Sequence, residues 1–230
     1  MKIFKPRGTT HDATEIATDT ARHVSNGGLG ATILSGVAVL FSGYSLWESS
    51  LKTADVQVFV PRVISYAAPY QNTNFEMISI PVTLSNEGAR TGTVLDLDLA
   101  VTDPRTKQTK HFYAAELGVW SMERTRTRSY DSFAPLPLVG RTSRTEQVLF
   151  YTRGDGEKPE QIIRETGPYT FTLTVRQAED RGVLGIEDAK DAVSVTFERT
   201  LPFYDARAFN EGTISMHAAD WTTSTNVKSD

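Results

Sequence analysis

The sequence predicts a mainly β protein: an antiparallel β-sandwich preceded by one N-terminal transmembrane helix. Three observations predict it. Residues 24–47 are 24 consecutive positions without a charged side chain. From Asp55 onward the apolar residues recur at every second position, the period of a strand with one buried face. No long helical pattern alternates with those runs, which argues against a doubly wound α/β fold. The organisation that follows is a polar segment over 1–23, the helix over 24–47, a short linker over 48–54, the sandwich over 55–217 and a polar, frayed tail over 218–230.

The polar segment comes first, with a short helical stretch expected around 14–23 and a break at Ser25-Asn26-Gly27-Gly28. At about 1.5 Å of rise per residue, the uncharged run that follows is long enough to cross a hydrocarbon layer of about 30 Å. Its Ser and Thr hydroxyls can bond back to carbonyls one turn away, so they are tolerable in lipid. Tyr44 and Trp47 suit an interfacial position, and Glu48 marks the return to water. A cleaved signal peptide would begin with a short basic stretch, whereas here about 23 residues containing Asp12, Glu15 and Asp19 come first. Lys2, Lys5, Arg7 and Arg22 precede the run and Lys52 and Arg62 follow it, so the N-terminus is expected in the cytoplasm and the bulk of the chain outside an inner or plasma membrane.

Gly28, Ala31, Ser35, Ala38, Ser42 and Ser45 recur at spacings of three and four, along one face of that helix. Lipid gives helices no hydrophobic reason to associate, so close packing on small residues is the usual route. The stripe is a candidate docking face for a membrane-protein partner or a second copy, although membrane helices are rich in small residues generally.

Bulk composition removes several chemistries. The chain of 230 residues has no cysteine, which excludes disulfides, thiol catalysis and thiolate metal sites. Its four histidines, His11, His23, His111 and His217, are scattered without zinc-like spacing. A net charge of −4 with dispersed basic residues argues against nucleic-acid binding.

The strands follow in order. Val56, Val58 and Val60 alternate with Asp55, Gln57 and Phe59; Ile78, Ile80, Val82 and Leu84 share a face, with Pro81 pointing to an edge or a bulge because it has no N–H to donate. Leu95, Leu97, Leu99 and Val101 are expected inward, with Asp96 and Asp98 toward water. Asn86-Glu87-Gly88 before that strand and Asp103-Pro104-Arg105 after it supply turn chemistry. Further strands are expected near 108–114, over 147–152, over 169–175 with Tyr169, Phe171, Leu173 and Val175 inward, and over 193–198. Residues 117–144 lack clean alternation, and 178–192 is the one short helical candidate, weakened by Gly182 and Gly185.

The order Ile80-Pro-Val-Thr-Leu-Ser-Asn-Glu-Gly88, a strand directly after it, and Gly167-Pro-Tyr-Thr-Phe-Thr-Leu-Thr-Val175 together resemble immunoglobulin-like modules of bacterial membrane-anchored envelope proteins. The resemblance covers roughly 55–199. It implies an immunoglobulin-like antiparallel β-sandwich with a scaffold or interaction role, and a corner position for Tyr169. The chain departs from antibody-type domains in having no cysteine pair.

Chemistry-bearing motifs are sparse. Asp96, Asp98 and Asp103 are three hard-oxygen groups close in sequence, but their spacing is not that of a calcium loop, and the reading is a solvated strand face with no metal. Gly27-Gly28-Leu29-Gly30 has no preceding strand and no closing Lys-Ser or Lys-Thr, so it is no phosphate loop. No catalytic residue and no cofactor is expected. In an extended segment Arg124, Arg126 and Arg128 would project from one side, a row suited first to keeping a strand edge from pairing and second to an anionic partner.

These features lead to the expectation of a single-pass, membrane-anchored interaction or assembly module, an accessory subunit of a membrane complex. An envelope-polymer-processing enzyme using paired carboxylates, and a periplasmic chaperone-like or transport adaptor with an open sheet edge, are the alternatives.

Overall fold

The computed structural model describes residues 13–69, 75–118, 131–154, 156–178, 180–181, 187–188, 192–203 and 213–221. The chain forms two compact units, Met1–Ser49 and Ser50–Asp230.

The first unit contains helix α1, Ala13–Leu46, which passes into a π-helical turn at Trp47–Leu51. At 34 residues α1 is about 50 Å long. It runs through Ser25-Asn26-Gly27-Gly28, where the sequence predicts a break; a mid-helix glycine costs about 1 kcal/mol, which a long helix on both sides absorbs. Gly30–Leu51 is long and apolar enough to cross a membrane, and none of its most apolar 18 residues is buried. Leu34, Val39, Leu40 and Phe41 are all exposed, a continuous apolar surface of the kind that water does not tolerate bare.

The second unit is built from strands β1 (Val56–Phe59), β2 (Val63–Ala67), β3 (Met77–Asn86), β4 (Gly92–Thr102), β5 (Thr109–Leu117), β6 (Asp131–Ser132), β7 (Leu136–Leu138), β8 (Ser143–Thr152), β9 (Gly167–Gln177), β10 (Asp180–Arg181), β11 (Glu187–Asp188), β12 (Val193–Leu201) and β13 (Ile214–His217). Hydrogen bonding runs in the order β5-β8-β3-β2-β13-β12-β9-β4, and β4 then pairs with β5 again. Eight antiparallel strands therefore close on themselves as a barrel, with β1, β6 and β7 added outside the ring on β3, β5 and β4.

This corrects the expected immunoglobulin-like sandwich. Two packed sheets would require two breaks in this cycle of pairings, and it has none. Here Leu99 pairs with Phe112 on one side of β5 while Tyr113 pairs with Tyr151 on the other. Alternation reports that a strand has a buried face; it does not report whether the facing wall belongs to a second sheet or to the same one closed round.

The inward face is as expected for most strands. Ile78, Ile80, Val82 and Leu84 of β3 and Tyr169, Phe171, Leu173 and Val175 of β9 are all buried in one continuous core. Two local expectations fail for stated reasons. Leu95 is 47 % exposed because a bulge between Val94 and Asp96 shifts the register, so the inward set on β4 is Val94, Leu97, Leu99 and Val101. Pro81 lies in the middle of β3 rather than at an edge, opposite Gln147 of β8; on its other side the pairing with β2 stops at Ser79 and that with β1 begins at Thr83, so the missing N–H falls in a gap between partners. In the helical candidate over 178–192, Asp180 pairs with Asp188 and Arg181 with Glu187, a two-stranded ribbon in place of a helix.

The end at which the chain enters this unit is tied by one side chain. Asn86 is buried and uses all four of its hydrogen-bonding positions: Oδ1 accepts from the Asp55 and Gly88 amides at 3.0 Å each, and Nδ2 donates to the Arg90 and Leu138 carbonyls at 2.9 and 3.0 Å. The turn packs so closely that a Cβ on Gly88 would sit 2.0 Å from the Thr53 carbonyl oxygen. Residues 52–55 are thus part of the barrel's rim. Asn86→Ala leaves several buried groups without partners and is expected to destabilise the fold by about 2–4 kcal/mol in denaturant titrations of the full chain in detergent. A loss below about 0.5 kcal/mol, the scale of an ordinary surface change, contradicts this role.

Candidate functional site

At the other end of the barrel, where β3 begins, two charged side chains lie wholly inside the protein. Lys110 follows the inward phase of β5 set by Phe112 and Ala114, and Glu76 precedes β3 in the phase of Ile78 and Ile80. Both are fully buried, with Lys110 Nζ 2.5 Å from Glu76 Oε2. Tyr66 of β2, also fully buried, donates its hydroxyl proton to Glu76 Oε1 at 2.7 Å. The Glu76 amide donates to Thr152 Oγ1 at 3.0 Å.

Further bonds of this cluster go to the connection between β8 and β9, here called the strap, residues 156–166. Glu76 accepts the Ile162 amide at 3.1 and 3.2 Å and the Ile163 amide at 3.5 Å. Lys110 Nζ donates to the Glu160 carbonyl at 2.7 Å. Gln161 Nε2 reaches the Tyr66 hydroxyl at 3.3 Å and the Ile163 carbonyl at 2.8 Å. Ile162 and Ile163 are themselves buried in the main core, so the strap stoppers the barrel with two apolar side chains held by a carboxylate and an ammonium.

A second clasp, centred on Tyr169, holds the strap's far end. Its hydroxyl donates to the Glu165 carbonyl at 2.9 Å and accepts from the Arg164 and Glu165 amides at 3.2 and 3.1 Å and from Arg105 Nη2 at 2.6 Å. Arg105, in the turn between β4 and β5, also donates to the Thr166 carbonyl at 2.9 Å and is paired with Asp103 at 2.9 Å.

Electrostatics follow from burial. Desolvation raises the Glu76 carboxyl above its ordinary range despite the opposing pull of Lys110 and its hydrogen bonds. The Tyr66 hydroxyl is raised well above its ordinary value by burial and then by the Glu76 charge beside it. For Asp103 burial also pushes upward, but the hydrogen bonds and charge of Arg105 together outweigh it and leave the carboxyl lowered. A further buried cation, Arg199 of β12, stacks on Phe197 with its guanidinium carbon 4.7 Å from the ring centroid; desolvation lowers its pKa, and it donates to the Pro61 and Glu198 carbonyls. It pins the corner between β1 and β2.

The residues singled out by sequence are distributed elsewhere. Asp96 and Asp98 share the outer face of β4, where Asp96 pairs with Arg176 and Asp98 with Arg153, so both carboxylates already have cationic partners. Asp103 belongs to the Arg105 clasp instead. Among the described residues no group of three acidic or histidine side chains converges as metal ligands. Arg124, Arg126 and Arg128 lie outside the described residues. Ala31, Ser35, Ala38, Ser42 and Ser45 fall on α1 and are exposed, and Gly28 is within the same helix. A cleft of about 370 Å³ opens between Lys52, Asp55, Val56, Gln177 and Val193, and none of the predicted residues lines it.

Sequence reading missed the Glu76–Lys110 cluster, although a signal was present: both residues stand in the inward phase of their strands, where an ionisable side chain has to be paired or neutral. Removing one partner strands the other in the core. Glu76→Gln or Lys110→Met is expected to cost about 3–5 kcal/mol, and the double variant much less than the sum, in a denaturant-based double-mutant cycle; additive losses would contradict the pairing. The pH dependence has opposite signs at the two acids. Stability from Asp103 is present above its ordinary value of 3.8 and lost as pH falls through its lowered value. That from the raised Glu76 carboxyl is present below 4.5 and lost as pH rises through its folded value. Asp103→Asn should therefore flatten the acid limb of a stability-against-pH curve, and an unchanged acid limb contradicts the assignment.

Comparison with known proteins returned no matching family model and no matching curated protein. Among solved structures the chain is similar to a crystal structure of a Bordetella pertussis protein assigned the name ApaA. The identity is 16 %, with 64 % of this chain and 94 % of that one covered, and a TM-score of 0.33. At that score the overlay bears on neither fold nor function.

Proposed function

We propose that the protein is a single-pass, membrane-anchored binding module, with its N-terminus in the cytoplasm and the barrel on the extracytoplasmic side, acting as an accessory or assembly subunit of a membrane complex. The observation that carries this reading is the 22-residue apolar segment Gly30–Leu51, whose core is unburied, on a chain whose other unit has a complete core of its own. An apolar helix of that length, bare of protein, gains its burial from lipid. The excess of Lys and Arg before the segment supports the orientation.

Binding rather than catalysis is favoured by how the acidic groups are used. Glu76 and Asp103 are consumed in holding the strap and its clasp, and Asp96 and Asp98 by neighbouring arginines. A paired-carboxylate hydrolase needs two acids facing a cleft across room for substrate. An adaptor that offers an open edge is disfavoured by the closed ring, whose additional strands are short, with Pro137 inside β7. The helix stripe Gly28, Ala31, Ser35, Ala38, Ser42 and Ser45 is the docking face of this reading, and Arg124, Arg126 and Arg128 its contact for an anionic partner.

Two fractionation results test it. The intact chain should stay with membranes through alkaline carbonate washing and be released by detergent, and protease added outside spheroplasts should digest the barrel while sparing an N-terminal tag. Release by carbonate alone, or a tag digested from outside with the barrel protected, would overturn the anchor or its orientation. Replacing Ala31, Ser35 and Ala38 by leucine should preserve insertion but remove co-purifying membrane proteins in mild detergent. Unchanged co-purification would exclude the stripe as the docking face.

A further inference from the structure

The strap is attached to the barrel through side chains. Among the described residues its backbone forms no ladder with a strand; its ties are the side chains of Tyr66, Glu76, Lys110, Arg105 and Tyr169. An additional bond runs from the His111 amide to Glu157 Oε1 at 2.8 Å. Breaking these leaves all eight ring strands paired. Gly154 and Gly156 stand at one end, each with open space around its Cβ position, and Gly167 at the other has φ of +126°, a conformation that L side chains rarely adopt. The strap therefore has a glycine at each end of a side-chain-held segment.

A permanent stopper would not need this chemistry. Apolar side chains of similar volume seal a core as well as a buried ion pair does, and often better, while charged pairs are best attested where one arrangement must be specified or switched. The pair is also used in a particular way. Glu76 takes two successive main-chain N–H groups, Lys110 takes one main-chain carbonyl, and the two side chains between are isoleucines lying in the apolar end of the barrel. These contacts read polypeptide backbone plus an apolar pair, not the identity of polar side chains.

We infer that residues 156–166 are a removable cover, and that the recess beneath them accepts in their place a bent polypeptide segment bearing two adjacent apolar residues. The strap is the recess's own intramolecular ligand, favoured by the high effective concentration that its tethering gives it. The inference deepens the binding-module reading above and rests on it for its biological sense, but it stands or falls on different measurements from the membrane fractionation.

Native-state hydrogen exchange on the full chain in detergent micelles tests the cover. The Ile162 and Ile163 amides should exchange at least about 100-fold faster than those of Leu99 and Leu173 in the ring, the mark of an opening short of global unfolding. Tyr169→Phe, which removes the second clasp but keeps its ring, should speed the strap amides by about a further tenfold and leave the ring amides unchanged. The probe for the recess is a fluorescent peptide with the sequence of residues 156–166, titrated into that variant. It should bind at least about tenfold more tightly than to the native chain, and N-methylation at its two isoleucine amides, which deletes the N–H groups Glu76 accepts, should weaken it by a similar factor. Exchange of the strap only at the rate of the ring overturns the cover. A peptide that does not bind the loosened variant, or binds equally with methylated amides, overturns the recess.

Discussion

Strand β5 is hydrogen-bonded on both edges, and the architecture depends on that fact. The pairing of β4 with β5 turns a sheet into a ring, so every inward side chain from eight strands shares one interior. Closure removes the long sheet edges that a chain of this composition would otherwise have to protect. It also creates two open ends, and the most specific polar chemistry in the described residues is spent on sealing them. One end is laced by Asn86 to Asp55, to the Arg90 carbonyl between β3 and β4 and to the Leu138 carbonyl at the end of β7. The other is stoppered by Ile162 and Ile163 under the grip of Glu76 and Lys110.

The sequence was informative where the physics is local. Period-two alternation located the inward faces of β3 and β9 residue by residue, and the uncharged run located the apolar part of α1. The corner position that an immunoglobulin-like fold would give Tyr169 falls with that fold; in the barrel its hydroxyl donates to the carbonyl of Glu165, four residues earlier. What could not be read was non-local. Sandwich and barrel place the same residues inward and differ in which ladders form between strands distant in sequence, and the turn Asp103-Pro104-Arg105 is compatible with either. The bulge at Leu95 and the partner change opposite Pro81 likewise depend on neighbours distant in sequence. The Glu76–Lys110 pair was hidden because the two residues are 34 positions apart, and a charge read singly looks like a solvated one.

The two units divide the work. The helix is long and apolar enough to cross a membrane, and the barrel has a core drawn from its own strands within Ser50–Asp230. The outer wall of β4 and β9 offers carboxylates already matched by arginines, with threonine hydroxyls bonded across β9 and β12. That is a well-solvated wall. The strap end combines buried charge, main-chain recognition and glycine-flanked attachment, which makes it the part of the barrel whose chemistry exceeds what sealing requires.

Closure is the claim on which the strap, the rim and the single interior all rest, and cross-strand nuclear Overhauser contacts in the deuterated full chain test it most directly. The account predicts contacts across both edges of β5 in one sample: Ala100 with His111 and Leu99 with Phe112 on the β4 side, and Tyr113 with Tyr151 and Ala114 with Phe150 on the β8 side. Finding one set without the other would open the ring into a single sheet with two free edges and contradict the account.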